Sequence, residues 1–292
     1  MTREELLKKR LTVEQQWILF NNSALSRRLP EDHYREMEGL MHVFWHEVKF
    51  KSHGVGEITE EMRVLVAAEA CILIILLGYE PYRYLKKVEI HCDDPNRAGW
   101  ANRDIVALVW HHALKGSQYG RDNFNVILHE FAHVIDFSSY SRATSVPMNV
   151  DSVDHEEWKE MLDREYTKLQ ETYQSGRVHT LDEYSISCDS KAEFFTCATE
   201  AFFERSAQLQ TSDPEICRLM ANFYGLDPTQ WNQTLCPGCH DPALTISRPS
   251  CDNCGWPRKD GFKPSGEFYL NTLILFVILC LVFVFLFWRM FN

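Results

Sequence analysis

Residues Asn125 to Phe137 read NVILHEFAHVIDF, and this stretch constrains the fold more than any other. Val126, Ile127, Leu128, Phe131, Ala132, Val134 and Ile135 leave a helix here almost no face that can stay in water, so the helix must lie inside a core. His129 and His133 are four residues apart, one turn apart on the same helical face, and can offer two imidazole nitrogens to one zinc ion. Glu130 lies next to that face, where it can hold a zinc-bound water and accept its proton. Hydrolysis of a peptide bond at neutral pH needs such a water, because zinc lowers its pKa to about 7. The competing reading is a chance HExxH on an ordinary helix. The apolar setting and the lack of charge at the intervening positions favour the metal.

A catalytic zinc also needs a third protein ligand and an open position. Of the downstream carboxylates Asp154, Glu156, Glu157, Glu165, Glu193, Glu200 and Glu204, most read as surface charges, but Glu193 and Glu200 sit inside the apolar run AEFFTCATEAFF. Seven residues apart, they project from one side of a helix. A buried carboxylate needs a partner, and either a metal or a metal-bound histidine suffices. Periodicity does not choose between them. His42 and His46 share helical spacing but have no carboxylate between them, and Phe44 and Trp45 mark that helix as a packing element. His111 and His112 are expected on opposite faces of a strand, where they cannot easily share an ion.

The first 235 residues read as α+β, with helices outnumbering strands. EDHYREMEGLMHVFWHEVKF and EITEEMRVLVAAEACILIILLG have helical periodicity, the second ending at Gly78. Its apolar part, Val64 to Leu77, is interrupted by Glu69 and too short to span a bilayer, which makes it a buried helix. KKVEIHC and DIVALVW are expected as strands, and DHEEWKEMLDREYTKLQETYQ and KAEFFTCATEAFFERSAQL as further helices.

Residues 236–257 carry Cys236, Cys239, Cys251 and Cys254 as two Cys-x2-Cys pairs separated by eleven residues. That is the pattern of a four-thiolate zinc ribbon, against which stand four unrelated thiols or two local disulfides. With every position filled by thiolate, this second zinc is expected to be structural. Residues 258–269 read as a linker. Leu270 to Trp288 has no charge and as a helix reaches roughly 28 Å, close to the hydrocarbon thickness of a bilayer. The expectation is a single-pass C-terminal membrane anchor holding a cytoplasmic body. Arg258, Lys259 and Lys263 before the span, against Arg289 after it, agree weakly with that orientation.

The 292 residues have a net charge of -11, which argues against binding to the nucleic-acid backbone. The charged start MTREELLKKRLTVEQQ has no secretory h-region, so the ten cysteines are expected in a reducing compartment. The scattered thiols Cys71, Cys92, Cys188, Cys197, Cys217 and Cys280 then read as small buried apolar groups.

Taken in order, IVALVW, FNVILHEFAHVIDF, SRATSVP and AEFFTCATEAFF resemble the Mlc titration factor A family of zinc metallopeptidases, relatives of the anthrax lethal factor catalytic domain. The resemblance covers roughly residues 30 to 225 and implies a mostly helical, zincin-like domain with a small sheet. It implies His129, His133 and Glu193 as ligands of a catalytic zinc, Glu130 as general base, and Glu200 as a supporting residue. Asp136 belongs to the family's HExxHxxD pattern, as an orienter of a histidine or as a cap or ion-pair partner. Tyr184 is the candidate oxyanion stabiliser, although it lies nine residues before Glu193 where seven are expected. IVALVW looks like the edge strand that could pair with a peptide substrate. The function implied is hydrolysis of peptides or proteins. The alternative is a regulatory module that captures a protein partner, such as a transcriptional regulator, with little or no proteolysis. The ribbon and the span depart from the soluble bacterial type.

Overall fold

A computed structural model of the chain describes residues 1–119, 124–138, 155–176, 181 and 191–231, all within one compact unit, Met1–Ala243. Tyr184, the four ribbon cysteines, the linker, Cys188, Cys280, the SRATSVP segment and the Leu270–Trp288 stretch lie outside the described residues. Among the described residues, no helix is long and apolar enough to cross a membrane.

The fold is mostly helical with one small sheet, hence α+β. Two short helices, α1 (Arg3–Leu7) and α2 (Val13–Asn22), open the chain. Each starts at a capping box, Thr2 with Glu5 and Thr12 with Gln15, in which side chains bond reciprocally to the free backbone N–H groups. Helix α3 (Glu31–Glu47) crosses α1 at Gly39, where a Cβ would sit 2.3 Å from the Leu7 carbonyl oxygen. Only glycine permits that approach. The predicted α3 helix ran on to Phe50, but Lys49 and Phe50 open strand β1 (Lys49–His53) instead. Pairing with β2 (Lys87–His91) overrides the local period.

Between those strands lies α4 (Glu60–Ile72), capped by Thr59. Every residue from Val64 to Ile74 has 0% exposure, Glu69 included. The helix ends at Ile72 rather than at Gly78, which takes φ +68 in the turn beyond.

Strands β3 (Gly99–Ala101) and β4 (Ile105–Val109) complete a sheet of order β1-β2-β4-β3. β1, β2 and β4 are mutually parallel and β3 is antiparallel to β4. The β3–β4 turn closes on Asn102, whose Oδ1 accepts from the N–H groups of Asp104 and Ile105. β4 is therefore an internal strand, not the edge. Its unbroken run of apolar residues is what a strand flanked on both sides requires. The edge beside the helices is β3.

The chain turns straight from β4 into α5 (Trp110–Tyr119), so His111 and His112 lie on a helix rather than a strand. Their rings are neighbours at 4.0 Å instead of pointing apart. Helix α6 (Val126–Phe137) packs among α4, α5, β3, β4 and α8 (Lys191–Glu204). Helix α7 (His155–Gln174) covers α8 through Trp158, whose ring meets Phe195 and Phe223. A break at Arg205 divides the long predicted last helix into α8 and α9 (Ser206–Ser212). Helix α10 (Pro214–Tyr224) ends in the left-handed Gly225.

Candidate metal centre

Asn125 starts the site by capping α6, its Oδ1 accepting from the Leu128 N–H at 3.2 Å. One turn in, His129 and His133 face the same way with ring centroids 4.9 Å apart. From α8, Glu193 reaches both: its Oε2 is 3.2 Å from His129 Nε2 and its Oε1 is 3.4 Å from His133 Nε2. One donor atom from each of the three lies within 4.8 Å of the others. Two turns along α8, Glu200 Oε1 is 2.7 Å from His129 Nδ1. A carboxylate can only accept, so that bond places a proton on Nδ1 and leaves Nε2 as the ring atom that faces Glu193. The structure thus divides the two carboxylates that periodicity left equivalent.

The electrostatics follow from burial and charge. Burial pulls the His129 pKa down, but Cys197, Glu193 and Glu200 outweigh it and hold the imidazole well above 6.5. Burial pushes Glu193 up, yet the two histidines bring it to about 2, so it is a carboxylate. Glu130, 6% exposed, is raised to about 7, chiefly by burial and with Glu193 and Glu200 adding to the effect against His129 and Arg97. A carboxyl poised near neutrality suits proton transfer. Asp136 is buried and raised to about 6 by that burial, against the charge of His133. Among the described residues His133 Nδ1 has no hydrogen-bond partner, so Asp136 does not orient that ring by a bond to that nitrogen.

These residues open onto a cleft of about 790 Å³ whose opposite wall is β3. Gly99 passes so close that a Cβ there would lie 2.9 Å from Glu130 Oε1. A side chain there would also meet the Ala107 carbonyl oxygen at 2.9 Å, so either the strand or Glu130 would have to give way. Trp100, Phe124 and Phe137 supply apolar lining and Arg97 a cation. Behind the cleft runs a buried polar chain. The Asn125 backbone N–H donates to Glu200 Oε2 at 2.7 Å, and Asn125 Nδ2 donates to Glu69 Oε2 at 3.3 Å. Glu69 Oε1 accepts from Ser23 Oγ at 2.8 Å. His129 is therefore held through Glu200 and Asn125 to a glutamate on the central helix.

Sequence reasoning missed Asn125, Gly99, Trp100 and the whole Glu69–Ser23 link. The interruption of an apolar helix by Glu69 was their only local signal. Cys197, read as an apolar filler, bonds to His129 and lines the cleft, its thiol raised to about 11 by burial. Cys71 and Cys217 are buried as expected, whereas Cys92 is exposed. His42 stands apart from the site, its Nε2 3.1 Å from the Arg10 carbonyl oxygen.

Comparison with known proteins adds context. A family model described as glucose-regulated metallo-peptidase M90 matches residues 1–99 and 90–225. An uncharacterised Synechocystis protein is 25% identical over 245 residues, spanning 77% of this chain and 88% of its own. Mlc titration factor A of Pectobacterium atrosepticum is 32% identical over 131 residues, 44% of this chain and 47% of that protein. The protein of the same name from Edwardsiella ictaluri is 27% identical over 164 residues, 53% of this chain and 61% of its own. The matched region thus spans about half to three fifths of those two proteins.

Proposed function

This chain belongs to the glucose-regulated metallo-peptidase M90 family, and on that premise we propose that it hydrolyses peptide bonds with a zinc ion and Glu130 as general base. The observation that carries the proposal is one glutamate, Glu193, within 3.4 Å of the Nε2 atoms of two histidines on a single helical turn. Two imidazoles and a carboxylate are a donor set that suits a catalytic zinc, so His129, His133 and Glu193 would hold the ion. When bound, the ion would supply Lewis acidity, polarising the scissile carbonyl and acidifying a water.

The chain's own groups do the rest. Glu130, next to the pair and shielded by β3, takes the water's proton on its carboxylate and returns it to the departing amine. Glu200 keeps the proton of His129 on Nδ1, which fixes the tautomer and orients the ring. The edge of β3, unpaired among the described residues, would offer backbone groups to an extended peptide, whose side chains would meet Trp100 and Phe137. Tyr184, outside the described residues, would stabilise the oxyanion in this reading. The ribbon of Cys236, Cys239, Cys251 and Cys254 would hold a structural zinc, and Leu270–Trp288 would tether the enzyme to a bilayer.

Hydrolysis of an unstructured protein by the full-length chain, compared with its Glu130→Gln variant, tests the mechanism. The variant should retain its metal and lose nearly all activity; equal rates would sink the proposal. A second reading, capture of a protein partner, draws on the name Mlc titration factor A carried by two relatives. A partner held by Glu130→Gln as tightly as by the unchanged chain, with no cleavage by either, would favour that reading.

A further inference from the structure

A second set of metal-type donors lies on the sheet and shares no residue with the cleft. His53 and His91 are register partners in the parallel β1–β2 pair, and Glu89 precedes His91 by two residues. All three side chains therefore leave the same face of the sheet. Val88 and Ile90 point to the other face and are buried at 0% exposure.

The arrangement is unusual for two ordinary strand histidines. Their rings stack in parallel, 4.5 Å between centroids and 4° between planes. Both Nε2 atoms are shielded from water and, among the described residues, make no hydrogen bond. Yet they lie 3.4 and 4.0 Å from the same oxygen, Glu89 Oε2. The other oxygen, Oε1, is already held by Lys87 Nζ at 3.1 Å, so the carboxylate is oriented with Oε2 towards the histidines. Buried polar atoms without partners are rare and call for an explanation. Here two of them converge on one anionic oxygen, with one donor atom from each residue within 4.8 Å of the others.

We propose that His53, Glu89 and His91 form a second metal site, on the sheet surface, for a divalent transition ion of the zinc class. Two imidazoles in a set of three select a borderline ion over Mg²⁺ or Ca²⁺, which prefer oxygen throughout. Zinc–nitrogen bonds of about 2.0–2.1 Å require the two Nε2 atoms to close to roughly 3.3 Å. That movement would come from rotation of the two rings, whose side chains are 32% and 29% exposed. Bound there, the ion would clip edge strand β1 to β2 at their C-terminal ends. The clip would reinforce the bond from the Cys92 N–H to the His53 carbonyl and the Gly54–His91 bridge.

The test is equilibrium dialysis of the chelator-stripped full-length chain against Zn²⁺, with metal counted by mass spectrometry. The His53→Gln/His91→Gln double variant should bind one zinc fewer than the unchanged chain and keep peptide hydrolysis within about twofold. Equal zinc content in the two would overturn the site. Should that variant misfold, amide exchange in the His129→Gln/His133→Gln chain decides the matter with the sheet residues intact. There Zn²⁺ should slow exchange in 49–53 and 87–92 at least fivefold, and unchanged exchange would overturn the proposal. Either failure leaves the Glu130 assay of the cleft untouched, so the two readings stand or fall separately.

Discussion

The helical cluster of His129, His133 and Glu193 and the sheet cluster of His53, Glu89 and His91 have the same donor set in very different surroundings. In the cleft, a histidine proton is fixed by Glu200, which is fixed by the Asn125 N–H, whose side chain is fixed by Glu69 and Ser23. Around the sheet cluster the corresponding support is one lysine, Lys87. The cleft also has a carboxyl near neutrality, Glu130, beside the two histidines and Glu193, and a β strand along its opposite wall. The sheet cluster has neither. On the two proposals, identical donors would serve different ends: layers of fixed hydrogen bonds would preorganise one site for chemistry, and the other would hold two strands together.

The sharpest way to break that contrast is Glu130→Gln. Removing a general base should lower kcat by about 10²–10⁴, read by steady-state peptide hydrolysis, with the zinc content of both clusters unchanged. If activity survives, the cleft has no more chemistry than the sheet.

The next effect concerns the anchor of the network. Burial holds the Glu69 carboxyl up at about 7, above its ordinary 4.5. Between those values the folded chain keeps a proton that the unfolded chain has released. The stability this contributes is fully present below pH 4.5 and is lost as pH rises through 7. At 1.36 kcal/mol per pH unit the loss comes to about 3 kcal/mol. Urea unfolding at pH 5 and pH 8 should show the unchanged chain losing most of that relative to Glu69→Gln. A constant difference between the two proteins would mean that Glu69 is not a neutral anchor.

Glu200→Gln probes the intermediate layer. Loss of such a carboxylate behind a ligand histidine typically weakens metal binding 10–100-fold, measurable by competition with a chelator. Zinc at the sheet cluster should not change, because Glu200 touches nothing there. The smallest effect serves as a control. Thr59 caps α4 in the manner of Asn125 on α6 but touches neither cluster. Thr59→Ala should cost about 1 kcal/mol of stability and leave hydrolysis and both metal affinities unaltered.

The parts of the molecule legible in the sequence were those in which neighbours along the chain are neighbours in space. The apolar run around HEFAH announced a buried helix, and the four-residue spacing put His129 and His133 on one turn of it. The seven-residue spacing put Glu193 and Glu200 on one side of α8. Strands β1 and β3 escaped notice because KFKSH lacks apolar alternation and GWA is too short to have any. The order of strands escaped too, and with it the fact that IVALVW is internal and Gly99–Ala101 is the edge.

By itself, then, the sequence determined a mostly helical α+β chain with two imidazoles and a neighbouring carboxyl on one buried helix. Local periodicity needs no information from elsewhere in the chain, so a single stretch suffices to state it. Tertiary structure alone decided which carboxylate faces the imidazoles and which stands behind them. It also decided that Asn125 meets Glu200 across 75 positions and Glu69 across 56, and that His53 lies beside His91. Those contacts arise from how α4, α6, α8 and the strands pack against a shared core, and packing is a property of surfaces that no single segment contains.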